Sequence, residues 1–189
     1  MGSYSVWSYW ETILAVFQSR PSYFCRIILH PNELGCSSDQ CYLERILMYY
    51  LDLTGYGARK KRCYSVVDWF LTKYLPRHHI SIEILHRGLR REESYGYCSV
   101  SGDIYRAREF LIEIDPKLDL ELYTKTLIHE LIHLRQWVHG VLKERRGKMI
   151  YKDVNCDDLD YWEQPHEIEA HSLEQMYYED YLIQTGQST

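Results

Sequence analysis

An α+β fold is what this sequence of 189 residues predicts, from three features of its apolar pattern. Apolar side chains recur at helical spacing through the first third. The period falls to two from about residue 80, and two further helical patterns close the chain. No internal repeat and no long Pro, Gly or Ser tract interrupts the order.

In the first third, Trp7, Trp10, Ile13, Leu14 and Phe17 recur at helical spacing, and so do Leu43, Ile46, Leu47 and Tyr50 after Asp39 as a cap. A third helix runs from Tyr64 through Val67, Phe70, Leu71 and Tyr74 until Pro76, which cannot continue it. Ile80, Ile82 and Ile84 then alternate with Ser81 and Glu83, as in a half-buried strand. A second strand spans Tyr95 to Val100 before the turn residues Ser101, Gly102 and Asp103. A third spans Phe110 to Ile114 before Asp115 and Pro116. A long helix from about Leu120 to Leu142, a connection and a last helix from about Pro165 to Leu182 complete the plan. This divides the chain into a helical region over 1–78 packed on a core over 79–189.

The length suits one domain with a helical appendage rather than two full domains. A net charge of -5 argues against a nucleic-acid partner, because such affinity comes mainly from clustered cations. The short runs Arg59-Lys60-Lys61-Arg62 and Lys143-Glu144-Arg145-Arg146 read as solvated charge. Six cysteines (Cys25, Cys36, Cys41, Cys63, Cys98 and Cys156) are widely spread and include no Cys-x-x-Cys pair, which suits reduced thiols, with a few disulfides in an extracellular setting as the alternative. The stretch Tyr4 to Phe17 is broken by Glu11, lacks a basic leader and is too short to span a bilayer. The expectation is a soluble, cytoplasmic protein with no membrane span, of unspecified oligomeric state.

One segment carries chemistry. Leu127-Ile128-His129-Glu130-Leu131-Ile132-His133-Leu134 contains the pattern His-Glu-x-x-His. At about 100° per residue the two histidines stand about 40° apart, one turn along the axis, so both imidazoles reach one ion. Leu127, Leu131, Leu134 and Val138 give the same helix an apolar side, leaving the histidines toward a cleft. Neutral imidazoles bind Zn2+ with a position left for water, and Glu130 beside them suits a general base.

A catalytic zinc site takes a third protein ligand. His139, ten residues after His129, is one source, but Gln136 stands where a sharp turn would need glycine. The other source is the helix opened by Pro165, which places Glu167, His171 and Glu174 on one stripe and Glu169 on a different side. Glu167 leads there, with His171 one turn on as an alternative ligand or a partner of a ligating histidine, and Glu169 as a further alternative.

Taken together, His129-Glu130-Leu131-Ile132-His133 and the later Glu167-Ile168-Glu169-Ala170-His171 resemble the gluzincin class of zinc metallopeptidases. They are similar above all to small phage- and virus-type members, and more distantly to the minimal zincin domains of the prenyl-protein endopeptidase and regulatory peptidase groups. The resemblance covers about residues 105 to 180. It implies a zincin-like minimal domain: a short mixed sheet, the His-Glu-x-x-His helix and a C-terminal ligand helix. It further implies zinc-dependent hydrolysis of peptide bonds in a protein or peptide substrate, with Glu167 as third ligand and Ala170 in the small-residue place. This chain has His171 where those families have Asp or Asn.

The resemblance also implies an edge strand above the metal that pairs with substrate backbone, assigned here to Phe110 to Ile114. An oxyanion donor near the third ligand would be Tyr161 or His166. Two other readings are compatible with the residues. One is a SprT-like DNA-associated protease, disfavoured by the acidic balance. The other is a non-catalytic interaction protein retaining a metal, which predicts loss of a general base that Glu130 supplies.

Overall fold

A computed structural model describes residues 49–57 and 59–187. The expected helices over Trp7 to Phe17 and Leu43 to Leu47 lie outside them. Within them the α+β plan is observed: β1 (Tyr49–Gly55), α1 (Lys60–Tyr74), β2 (Ile80–His86), β3 (Gly96–Val100), β4 (Glu109–Ile114), α2 (Leu120–Val138), β5 (Leu142–Arg145), β6 (Lys148–Tyr151), β7 (Val154–Asn155) and α3 (Pro165–Thr185).

The main sheet has the order β1-β2-β4-β3. β1, β2 and β4 are parallel, in the registers Leu53↔Ile84 and Ile84↔Ile112, and β3 runs antiparallel to β4. Parallel neighbours cannot be joined by a tight turn, and α1 is the crossover that brings β1 to β2. Ile80, Ile82 and Ile84 of β2 are buried while Glu83 is exposed, so the sheet presents one apolar face to the helices.

The fold departs from the pattern of the sequence at two strands. Tyr50 lies in a strand, because Tyr49, Leu51 and Leu53 alternate toward the core as the side chains of β2 do. Phe110 to Ile114 is flanked on both sides, by β2 and by β3, so among the described residues the edges of the sheet are β1 and β3, and β3 is the one packed against α2.

α2 packs on β3, β4 and α1, and α3 packs on α2. The first turn of α2 is closed by Asp119, whose carboxylate accepts from the Leu122 amide at 2.8 Å. The helix stops at Gly140, which takes φ +68. α3 opens on Pro165, whose missing N–H costs nothing in a first turn.

The docking of α3 is aromatic. Tyr177 stacks on Tyr74 of α1 with centroids 4.5 Å apart, Tyr181 meets Trp69 edge-on at 5.4 Å, and the Trp69 indole donates to Gln184 at 3.2 Å.

Between α2 and α3, where the sequence predicts only a connection, the chain forms a three-stranded meander, β5-β6-β7. Its two hairpins turn on Arg146-Gly147 and Lys152-Asp153, all four at positive φ, the two-residue geometry that follows strand twist. Cys63, Cys98 and Cys156 are free thiols, and burial pushes the Cys63 thiol up to about 12. No helix among the described residues is long and apolar enough to cross a membrane.

Candidate metal centre

α2 carries His129, Glu130 and His133 at the middle of its length. The sequence places them on a cleft-facing side. In the fold α3 covers that side, leaving the three residues 8%, 5% and 7% exposed. Every residue from Thr126 to Leu134 is buried, so the helix is wrapped on all sides.

The Nε2 atoms of His129 and His133 lie 3.0 Å apart. From the first turn of α3, Glu167 brings Oε2 to 3.2 Å from the one and 3.4 Å from the other. In a tetrahedral site with bonds of about 2.0 to 2.2 Å, the donors stand about 3.3 Å from one another. The triangle fits a single divalent cation.

The remaining hydrogen bonds fix which nitrogens are free. Gln136 donates its amide nitrogen to the His166 carbonyl at 3.0 Å and to Glu169 at 2.8 Å. Its Oε1 therefore faces His133 Nδ1, at 2.9 Å, and that nitrogen must donate. Likewise, His129 Nδ1 donates to the Glu174 carboxylate at 3.0 Å. Both rings thus hold their hydrogen on Nδ1 and turn a bare Nε2 lone pair toward the other and toward Glu167 Oε2. Three acceptors converge with no donor between them, an arrangement that a cation or a proton must fill.

The electrostatics agree. Burial disfavours charge on His129, but hydrogen bonds to Glu167 and Glu174 and the charge of Glu130 raise its pKa to about 9. Burial opposes ionisation of Glu167 too, and its hydrogen bonds with His129, His133 and His166 nevertheless hold it well below the usual carboxylate range. Glu130 is pushed up to about 7 by burial, which outweighs the pull of His133 and His129. A carboxylate titrating near neutrality, beside a cation site, suits proton transfer in both directions.

The other residues singled out by sequence are distributed as follows. His171 lies against His129, ring centroids 4.6 Å apart, with Nδ1 3.6 Å from Glu174 and Nε2 3.3 Å from the Tyr161 hydroxyl. Tyr161 is 47% exposed, and its hydroxyl also interacts with Glu167. His166 is buried, its Nε2 3.4 Å from Glu167 Oε1. Glu169 bonds Gln136 and Lys152 and faces away from the triangle. His139, at the exposed end of α2, stacks on His78 at 5.6 Å and is outside the cluster.

Sequence reasoning missed the parts played by Gln136 and Glu174. Glu174 was legible only as a member of the Glu167 and His171 stripe. Gln136, three residues after His133, carries no signal beyond its helical spacing.

On the far side of Glu130 lies β3. A Cβ on Gly96 would stand 2.8 Å from Glu130 Oε1 and 2.9 Å from Thr126 Cγ2, so glycine lets the edge strand touch the α2 surface.

No family model, no curated protein and no solved structure matches this chain. The likeness to zincins rests on the site itself, where a His-Glu-x-x-His helix and a glutamate from a later helix form a centre capable of holding a divalent cation beside a buried carboxylate suited to hydrolysis.

Proposed function

We propose that this chain is a zinc-dependent peptidase acting on a protein or peptide. The observation that carries the reading is the convergence of His129 Nε2, His133 Nε2 and Glu167 Oε2, with Glu130 buried alongside. Two imidazoles and one carboxylate form a donor set that suits zinc. When bound there, zinc would leave a position open to water and lower that water's pKa toward neutrality.

Glu130 accepts a proton from the attacking water and returns it to the leaving amine. Glu174 and Gln136 hold the two imidazoles in the ligating tautomer. Substrate backbone pairs with β3, the free edge that passes Glu130 at Gly96. Tyr161 is the better candidate for donor to the developing oxyanion, since it is half exposed with its hydroxyl beside Glu167 and His171, whereas His166 is buried. Free Cys63, Cys98 and Cys156 support a reducing compartment such as the cytoplasm. The division into an N-terminal region and a zincin-like core belongs to the same proposal, with the core reaching back at least to β1, which pairs with β2.

Elemental analysis and a quenched-peptide cleavage screen test this together. About one zinc per chain and cleavage in the wild type are expected. Glu130→Gln should keep the metal and lose about two to four orders of magnitude in turnover. Retention of zinc by Glu167→Ala would sink the ligand set, and cleavage undiminished in Glu130→Gln would sink the mechanism.

A further inference from the structure

His129 is the corner of two donor sets. Its Nε2 belongs to the inner triangle with His133 and Glu167, and its Nδ1 belongs to an outer one with His171 and Glu174. In the outer set Glu174 Oε2 lies 3.0 Å from His129 Nδ1 and 3.6 Å from His171 Nδ1, and all three donors fall within 4.8 Å of one another. The combination is again two imidazole nitrogens and a carboxylate, the donors zinc and copper favour.

The two sets differ in access. The inner donors are buried, whereas the side chains of His171 and Glu174 are 35% and 28% exposed. Solvent can reach the outer set and fill the coordination that the protein leaves vacant. Its geometry is also held from outside: Trp162 stacks on the His171 ring at 5.1 Å and 28°, and the Tyr161 hydroxyl hydrogen-bonds His171 Nε2. Those contacts leave Nδ1 turned toward Glu174.

We propose that the outer set is a second, weaker divalent-cation site, and that the His129 ring bridges it to the inner one. The inference rests on the inner site reading. On loading, a bond forms from the cation to each of His129 Nδ1, His171 Nδ1 and Glu174. The Nδ1 hydrogen of His129, until then donated to Glu174, leaves to water, and the imidazolate bridges two positive charges. Glu174 thus has two states: a hydrogen-bond partner of His129 when one cation is bound, and a ligand when two are bound. The second cation deprives His129 of that partner, so it should slow the reaction at the inner site.

Equilibrium dialysis against Zn2+ with elemental analysis tests the stoichiometry on the wild-type chain and His171→Ala, with circular dichroism as the check on folding. His171 is outside the inner triangle, so its loss should remove only one cation. Two zinc ions per wild-type chain at high zinc, falling to one in folded His171→Ala, are expected. One ion in the wild type that survives in His171→Ala would leave the inner site standing and overturn the outer one. No ion in either would overturn both.

Titration with Cu2+ followed by electron paramagnetic resonance reads the bridge independently. A second equivalent that diminishes the copper signal is expected for two ions coupled through one imidazolate. A second equivalent that doubles it would overturn the bridge.

Discussion

Gln136 Oε1 accepts the Nδ1 hydrogen of His133 across 2.9 Å, while the same amide's nitrogen holds the His166 carbonyl and Glu169. One side chain thereby sets the tautomer of an α2 histidine and ties it to the start of α3. Gln136→Leu keeps the bulk and removes all three bonds. Cation affinity should fall about 10- to 100-fold. Stability should drop by about 1 to 3 kcal/mol, because the Nδ1 hydrogen of His133 is left buried without an acceptor. Competition with a chromogenic chelator measures the first and denaturant unfolding the second. Unchanged affinity would mean that His133 is held by packing alone.

Gly96 is expected to be intolerant of side chains for a reason of function rather than of fold. A Cβ there meets Glu130 Oε1 at 2.8 Å, and the branched side chain of Gly96→Val must displace either the carboxylate or the edge strand. The variant should bind its cation as the wild type does and lose turnover. Wild-type turnover in a folded Gly96→Val would show that Glu130 and β3 are not both needed where they stand.

Removal of the cation should make stability depend on pH in one direction. His129 is raised from 6.5 to about 9 in the fold, so its contribution is complete below pH 6.5 and disappears as pH rises through 9. Glu130, an acid raised from 4.5 to about 7, acts with the same sign, since its ionisation above 4.5 is easier in the unfolded chain. Thermal midpoints recorded in chelator should fall from pH 6.5 to pH 9, and cation affinity should rise over the same interval as protons cease to compete. A midpoint that climbs would contradict the assignment of both groups.

His139→Ala should leave cation content and turnover unchanged, because that ring stacks on His78 at 5.6 Å outside the cluster. Trp69→Ala, at a residue of neither donor set, should do more harm. It removes the edge contact to Tyr181 and the bond to Gln184 that seat α3, at a cost of about 3 to 5 kcal/mol. Apparent cation affinity should weaken with it, since Glu167 is delivered by that helix. The pair of variants, compared by dialysis, separates proximity in sequence from delivery by the fold.

The centre was more legible in the sequence than the scaffold around it. His129, Glu130 and His133 announce themselves because a single helix sets their geometry, and Glu167 follows from Pro165 opening a second one. What escaped depends on tertiary packing. Tyr50 completes a helical spacing with Ile46 and Leu47, yet pairing with β2 fixes its segment as a strand, and only the alternation of Leu51 and Leu53 hints at it. The edge position of β3 follows from strand order, which periodicity does not encode. The meander is built of strands too short and too charged to show a period, and only Gly147 marks one of its two turns. Glu174 reaches His129 only because α3 lies across α2.

The donors of the inner triangle come from two helices separated by the whole meander, and the carboxylate is on the later one. During synthesis α2 therefore emerges with two imidazoles and nothing to close the triangle. A nascent chain that has not yet produced α3 offers a cation a pair of nitrogens and lacks the Glu167 carboxylate. The order of synthesis therefore places completion of the triangle after the meander, when the start of α3 has been made.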